Sequence, residues 1–197
     1  MNALDFIRVY NCVPKNICNN LIKNFKKSKF QYHQWQDKTG KPIGSRKNLK
    51  EELKNYWLNQ EEINILLPFV AEATSQYRHD VRSIYPFLNL IKTYKEPSQL
   101  IYKLSKFRVN KYNKNTNMAV HVDHIYDIFD GKEKGIPVLS IVGLLNDNFK
   151  GGEFEICNQK LLLKQGDVLI FPSNFMYPHQ VKTITKGVRY SFVSWGY

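Results

Sequence analysis

The chain has 197 residues and a formal net charge of +12, and 43% of its residues are hydrophobic and 14% aromatic. This length predicts one domain with a sizeable core, and the composition excludes a disordered chain. No apolar run approaches the roughly 18 residues of a membrane span, and the first residues show no signal-peptide pattern.

The cysteines and the charge bear on location and partners. Cys12, Cys18 and Cys157 form an odd set without close pairing, which favours reduced thiols and a cytoplasmic protein over a disulfide framework. The basic residues are mostly lysines and are scattered along the chain. The positive charge leaves two interpretations open: a solvated lysine surface, or a surface for nucleic acid or another acidic partner.

The first part of the chain predicts short extended segments around a helix. Residues 4–11 are typical of a short strand, and Pro14 then begins a helix whose apolar residues recur at helical spacing up to about Lys27. Residues 30–35 alternate between aromatic and polar side chains and predict another strand. Residues 37–45 are rich in turn formers and predict an exposed loop, which either covers a substrate or simply connects two elements.

Two more helices are predicted before the chain changes character. They cover residues 48–59 and 61–80, and Pro68 is expected to kink or restart the second helix. His33 and His79 lie in these regions without a carboxylate or a second histidine at ligand spacing. We therefore expect both to be ordinary surface or hydrogen-bonded histidines.

From about residue 107 the pattern changes to short strands separated by turns, which is typical of a sandwich or barrel. The predicted strands are 107–113, 118–123, 138–146, 152–158, 160–163, 167–171, 179–183 and 188–197. Helices followed by a run of strands predict an α+β fold, with a jelly-roll core and helices packed on one face. We expect one domain over residues 1–197, with a mainly helical support in 1–106 and the jelly-roll core in 107–197.

Three side chains in the strand-rich part could form a metal site. His121 and Asp123 are two residues apart, so they would project from the same face of a strand. His179 could return from a distant strand with a second imidazole. Two imidazoles and one carboxylate make the facial triad that suits non-haem Fe(II) and leaves coordination positions open. The sequence thus indicates these three residues as candidate iron ligands and catalytic residues.

An arginine follows the triad in the chain. Arg189 and Ser191 share a face at period two and could point where His179 points. A buried unpaired charge is costly, so an inward arginine needs a partner, and a carboxylate suits its planar fork. An open iron site beside such an arginine suggests a dicarboxylate co-substrate that chelates the metal.

The same region carries an ordered series of motifs. They are, in chain order, Tyr112, His121-Val122-Asp123, Leu139-Ser140, Leu145-Asn146-Asp147, Gly151-Gly152-Glu153-Phe154, Gly166-Asp167-Val168-Leu169-Ile170-Phe171-Pro172, His179-Gln180-Val181, Gly187-Val188-Arg189-Tyr190-Ser191 and Trp195. From about residue 107 to residue 197 the chain resembles the Fe(II)- and 2-oxoglutarate-dependent dioxygenases, most closely the prolyl 4-hydroxylase-like group. Arg189 stands where many collagen-type members have lysine, and Leu144 where some members have tyrosine.

The resemblance implies a double-stranded β-helix that binds iron through the three candidate ligands. Arg189, with Ser191, would hold the distal carboxylate of 2-oxoglutarate, and Tyr112 would line the co-substrate pocket. The resemblance also implies Fe(2+), 2-oxoglutarate and O2 as cofactor and co-substrates, with ascorbate as a further candidate. Enzymes of this kind hydroxylate a C–H bond and release succinate and CO2.

The substrate is open at this point. A peptidyl residue, with proline as the first choice, is the expected target, and no membrane partner is expected. Nucleic acid, a small metabolite and a non-catalytic metal-binding module are alternatives from other classes. Strand alternation is expected to turn His124 away from the metal, and Tyr126 and Asp127 are expected in an ordinary loop. Trp195 and Cys157 are expected in the core.

Overall fold

The computed structural model describes residues 2–36, 42–43, 53–86, 101, 103–123 and 137–197. It contains a 3₁₀-helix at Ala3–Phe6 and two α-helices, α1 at Lys15–Phe25 and α2 at Gln60–Ile84. Its strands, numbered in chain order, are β1 Arg8–Asn11, β2 Gln31–Tyr32, β3 Trp35–Gln36, β4 Pro42–Ile43, β5 Lys54–Trp57, β6 Arg108–Tyr112, β7 Met118–His121, β8 Leu139–Leu144, β9 Lys150–Gly151, β10 Phe154–Ile156, β11 Gln159–Leu161, β12 Asp167–Pro172, β13 His179–Val181, β14 Ile184–Lys186 and β15 Arg189–Gly196. No described helix combines the length and the apolar character that a membrane span requires.

Two antiparallel sheets form the centre of the fold. The larger sheet has the strand order β1-β12-β8-β15-β6-β5-β2, and the smaller sheet has the order β11-β10-β13-β7. Leu169 and Phe171 of β12 pack in the core between the sheets, whereas Val168 and Ile170 of the same strand pack with the apolar residues of α1 and α2. This alternation places one core on each face of the larger sheet. The predicted α+β jelly roll with supporting helices is confirmed.

Helix α2 is the longer of the two supports. It begins at a capping box, in which the backbone N–H of Glu62 donates to Oδ1 of Asn59 (2.9 Å) and the N–H of Asn59 donates to Oε2 of Glu62 (3.0 Å). Pro68 does not restart the helix, which continues as one element to Ile84. Its buried face, from Leu66 onward, packs in the outer core against the larger sheet, and this packing outweighs the hydrogen bond that proline removes.

The helix predicted over residues 48–59 is wrong. Residues 54–57 form β5, which pairs with β6 on one side and with β2 on the other. Leu53 packs in the core between the sheets, whereas Tyr56 packs against the helix side. The segment therefore has the two-sided pattern of a strand, and ladder partners from distant parts of the chain override the local preference.

The strand predicted over residues 4–11 is shorter in the structure. Ala3–Phe6 is a 3₁₀-helix, and only Arg8–Asn11 is extended. The reason is local, because the side chain of Asp5 accepts a hydrogen bond from the backbone N–H of Asn2 (2.8 Å) and caps a helical turn.

The first 106 residues also contribute to the sheets. Strands β1, β2 and β5 extend the larger sheet, so the support from this part of the chain is not only helical. Within the loop predicted over residues 37–45, Pro42–Ile43 pairs with Trp35–Gln36 as a two-stranded sheet. The remaining residues of that loop, and with them the prediction that it covers a substrate, lie outside the described residues.

Gly143, at the centre of the larger sheet, leaves space for an aromatic ring. It is the ladder partner of Phe192, whose ring occupies the place that a β-carbon on residue 143 would take. We expect Gly143→Ala to lower the free energy of unfolding by about 1–3 kcal/mol, because the ring must leave a favoured rotamer or the strands must separate. Urea denaturation measures this, and an unchanged midpoint would contradict it. The double variant with Phe192→Leu should be less destabilised than the two single changes summed.

Candidate metal centre and co-substrate pocket

His121 and His179 meet across two strands of the smaller sheet. They are ladder partners in the antiparallel pair of β7 and β13, and their ring centroids are 4.2 Å apart. Directly opposed residues on one face of an antiparallel pair have neighbouring side chains. The ladder therefore brings together two imidazoles that lie far apart in the chain.

In both imidazoles, Nδ1 is the nitrogen that bonds to a backbone carbonyl. Nδ1 of His121 lies 2.9 Å from the carbonyl oxygen of Ala119, and Nδ1 of His179 lies 3.0 Å from that of Tyr177. A carbonyl oxygen only accepts, so each Nδ1 carries the proton and each Nε2 keeps its lone pair. Burial, followed by the neighbouring His179, lowers the pKa of His121. Both effects favour the neutral form that binds a metal ion.

Asp123 completes the group two residues beyond the end of β7. Its Oδ1 lies 3.8 Å from Nε2 of His121, and its Oδ2 lies 3.9 Å from Nε2 of His179. One ligand atom from each of the three side chains falls within 4.8 Å of the others. The predicted strand over 118–123 ends at His121, but the carboxylate still lies on the side of the imidazoles. The donor set and its spacing fit a divalent metal held by two histidines and one carboxylate.

Ser140 supports this carboxylate from the larger sheet. Its side chain is buried in β8, and Oγ donates a short hydrogen bond of 2.5 Å to Oδ2 of Asp123. Ser140 belongs to the Leu139-Ser140 motif, and the sequence alone assigns it no role. Its position in a strand with six buried residues is the signal that could have identified it, because a buried hydroxyl needs a partner.

We expect Ser140→Ala to weaken metal binding about 10- to 100-fold, because residues that orient a metal ligand contribute this much to affinity. Isothermal titration of the metal-free protein with Mn(II), as a redox-stable probe of the site, measures the change. Ser105→Ala is a matched control, since its hydroxyl bonds Ser194 and the backbone and makes no bond to a triad residue. Equal affinity in Ser140→Ala and wild type would show that Asp123 is oriented without the hydroxyl.

Two phenylalanines hold the ring of His179. The ring of Phe154 is stacked on it, with centroids 5.5 Å apart and planes at 17°, and Phe171 contacts it edge-on at 5.0 Å. These rings fix the imidazole plane and keep water from its inner face.

A cavity that is open to solvent lies beside the triad, between the two sheets. Alternate residues of β6 and β15 project into it, as expected for strands with one face toward a cavity. These lining residues are Arg108, Asn110, Tyr112, Arg189, Ser191, Val193 and Trp195. The structure thus brings Tyr112, Arg189 and Ser191 together, as the sequence predicted. The core position predicted for Trp195 is wrong, because this side chain is half-buried and lines the cavity.

Arg189 is a buried cation in this cavity. Its side chain is 1% exposed, Nη1 donates to Oγ of Ser191 (2.8 Å), and the guanidinium lies over the ring of Tyr112 at 5.0 Å. Nε has no hydrogen-bond partner, and no carboxylate among the described residues pairs with the side chain. Burial lowers the pKa of Arg189, yet an arginine stays charged in proteins. The site therefore fits a carboxylate brought by a ligand.

The other histidines of interest lie outside this group. His79 is exposed on α2, as predicted. His33 is buried, and its Nδ1 lies 3.4 Å from Nδ2 of Asn55, which agrees with the hydrogen-bonded alternative. Burial, with the charges of Arg108 and His121, lowers the pKa of His33 to about 4.

The predictions for the segment after Asp123 concern residues that the structure does not describe. His124, Tyr126 and Asp127 lie outside the described residues.

Cys157 is half-buried beside the core between the sheets, as predicted, and all three cysteines are free thiols.

Comparisons with known proteins extend this description. A family model described as the 2OG-Fe(II) oxygenase superfamily matches residues 107–197. A search of curated proteins found no match. Among solved structures, the chain is similar to a viral collagen prolyl hydroxylase from Paramecium Bursaria Chlorella virus-1 in its 2OG complex. That match has a TM-score of 0.62 at 16% identity over 96% of this chain and 94% of the other.

Two further structures are similar over nearly the whole chain. A Pseudomonas putida prolyl-4-hydroxylase matches with a TM-score of 0.63 at 14% identity, over 96% of this chain and 91% of that one. A prolyl hydroxylase from Trichoplax adhaerens, in complex with a hypoxia inducible factor peptide fragment, matches with a TM-score of 0.66 at 15% identity, over 98% and 84%. At these identities the structures show a shared fold. The family model covers the jelly roll, and this part of the chain matches the 2OG-Fe(II) oxygenase superfamily.

Proposed function

We propose that this oxygenase hydroxylates a C–H bond of a peptidyl residue, with proline as the first candidate. The observation that carries the proposal is the combination, in one cavity, of the three candidate metal-ligand side chains and a buried arginine that pairs with no carboxylate among the described residues. A metal ion would bind the three ligand side chains, and a dicarboxylate would supply the anion that the arginine needs. Fe(2+), 2-oxoglutarate and O2 are the cofactor and co-substrates of this family.

Each chemical task of the reaction falls to a named side chain in this proposal. Nε2 of His121, Nε2 of His179 and the carboxylate of Asp123 hold the iron, which with 2-oxoglutarate supplies the O2-dependent hydroxylation and the release of succinate and CO2. Arg189 and Ser191 bind the distal carboxylate of 2-oxoglutarate. Tyr112 packs under the guanidinium and shields that ion pair from water, which strengthens it.

A peptide substrate is favoured by the fold that the chain shares with prolyl hydroxylases. One of those neighbours is a collagen prolyl hydroxylase, and another is in complex with a peptide fragment. Nucleic acid is the second candidate, because the net charge of +12 attracts phosphate. We further propose a cytoplasmic location, which the free thiols support, and ascorbate as a reductant that maintains the iron.

Anaerobic titration with Fe(II) and 2-oxoglutarate tests the site. Metal-free wild type and Asp123→Ala are titrated side by side, and the weak visible charge-transfer band of the chelate is followed. We expect a band that needs both components and is absent in the variant. Bound metal without a band would instead favour a non-catalytic metal-binding module.

Substrate class is tested by succinate release with peptide, oligonucleotide and metabolite panels under air. The proposal requires that proline-containing peptides stimulate succinate release above the substrate-free rate. Stimulation by oligonucleotides alone would establish the second candidate in its place.

A further inference from the structure

A second arginine, Arg108, lies in the same cavity and belongs neither to the triad nor to the proposed 2-oxoglutarate site. Arg108, at the start of β6, lines the cavity together with the triad. Its guanidinium lies 5.8 Å from the ring centroid of Trp57 and 5.5 Å from that of Trp195. The two indole rings restrict the motion of the guanidinium. They pack near its plane, so its edge, which carries the N–H donors, can bind another group.

Arg108 has no anionic partner in the part of the chain that the structure describes. No carboxylate there forms an ion pair with it, and its buried Nε has no hydrogen-bond partner. Burial lowers the pKa of Arg108, while Tyr112 and Asp123 act in the opposite direction, so the guanidinium is within electrostatic range of the metal centre. The oxygens of Asp123, however, face the two imidazoles and Ser140.

Among the described residues, the charges of the filled site leave Arg108 without a balancing anion. Fe(II) and Arg189 carry three positive charges, and Asp123 and the two carboxylates of 2-oxoglutarate carry three negative ones. Arg108 adds a positive charge that none of these neutralises. A half-buried cation without a counter-ion is unfavourable, so the filled site should favour a substrate that brings an anion.

The position of this cation matches the expected path of a substrate. Trp57 is 51% exposed, so the two indoles reach from the cavity toward the surface. A chain whose reacting residue enters beside the triad would place an adjacent side chain against the indoles. The net charge of +12 also attracts an acidic partner at longer range.

We propose that Arg108, held between Trp57 and Trp195, binds a carboxylate next to the target residue and so selects acidic peptides. This inference rests on the proposed peptidyl hydroxylase function and names its substrate class. The carboxylate accepts two N–H bonds from the edge of the guanidinium, and the aliphatic part of the substrate side chain packs on the indoles. Arg108 is thus a specificity-determining residue for this reaction.

The test measures binding separately from turnover. Fluorescein-labelled peptides carry one proline, with glutamate, glutamine or lysine at one of the two neighbouring positions on either side. Their affinities for the Fe(II)- and 2-oxoglutarate-loaded protein are measured by fluorescence anisotropy without oxygen. We expect wild type to bind a glutamate peptide about 10- to 100-fold more tightly than its glutamine counterpart, as for a hydrogen bond to a charged group.

Three variants separate the role of Arg108 from that of general charge. Arg108→Gln should lose the preference for glutamate, and Arg108→Glu should prefer the lysine peptide. Lys111→Gln is the matched control, because it removes the same charge from the same strand. Lys111 lies on the opposite face, over Phe30 and Tyr190, so this variant should keep the full preference for glutamate.

The outcomes distinguish this inference from the function on which it rests. A Fe(II)–2-oxoglutarate band with succinate release, but equal affinity for glutamate and glutamine peptides, would overturn the inference and leave the oxygenase intact. A preference that survives in Arg108→Gln would also overturn it. Oligonucleotide binding that depends on Arg108, without peptide binding, would identify nucleic acid as the occupant. Absence of the band would reject the oxygenase proposal itself.

Discussion

Replacement of His179 by alanine is expected to abolish iron binding and 2-oxoglutarate turnover together. His179 is 6% exposed and lies against Phe154 and Phe171, and its Nε2 is directed at the carboxylate of Asp123. No other histidine, cysteine or acidic side chain among the described residues joins this group. Loss of a ligand should cost more than the roughly 10- to 100-fold that loss of a supporting residue costs.

The measurement is the iron content per chain after anaerobic loading and dialysis, together with the rate of succinate release. His79→Ala is the control, because it removes the same side chain from the exposed surface of α2 and should retain iron and activity. Circular dichroism should show that both variants keep the fold, since the sheets are held by their ladders and cores. Full iron occupancy in His179→Ala would exclude His179 as a ligand.

Arg189→Met should raise the apparent KM for 2-oxoglutarate by about two orders of magnitude or more, as removal of one partner of a buried, hydrogen-bonded charge pair does. Iron binding should persist, because the triad does not include Arg189. The assay is succinate release at increasing 2-oxoglutarate, with the iron content measured in parallel. Unchanged use of 2-oxoglutarate in this variant would refute the carboxylate-binding role.

A stability measurement separates this role from a structural one. The cation of Arg189 is buried without a carboxylate partner among the described residues, so Arg189→Met should not lower the melting temperature of the ligand-free protein. Arg189→Lys should recover only part of the affinity for 2-oxoglutarate, because lysine supplies a point charge without the bidentate fork. A ligand-free Arg189→Met that melts well below wild type would indicate that the arginine holds the fold together.

The strand-rich half was largely predictable because its elements are short, alternating and separated by turns. The spacing of Arg189 and Ser191 placed both on one face, and the structure joins them by a hydrogen bond. The same period-two argument, extended from Tyr112 along β6, would have placed Arg108 in the cavity. Its position between two indoles was not predictable, since Trp57 reaches it from β5, a segment whose sequence predicts a helix.

The remaining differences arise from contacts between distant parts of the chain. Segment 54–57 becomes a strand because β6 and β2 offer ladder partners, and no local pattern contains this information. The pairing of His121 with His179 depends on which strands of the smaller sheet are neighbours. The residue types indicated which side chains could be metal ligands. Only the strand order of the sheet explains how the two histidines come close to each other.

Strand β7 has a single described ladder partner, β13, and lies at the edge of the smaller sheet. An edge strand separates from its sheet more easily than a central strand, and His121 is the last residue of β7. A metal ion bound by both His121 and His179 would link β7 to its neighbour β13. When the free metal concentration is a hundred times the dissociation constant, metal binding would add about 2.7 kcal/mol to the stability of the native state. The lifetime of this protein against proteases would then follow the iron supply of the cell that makes it.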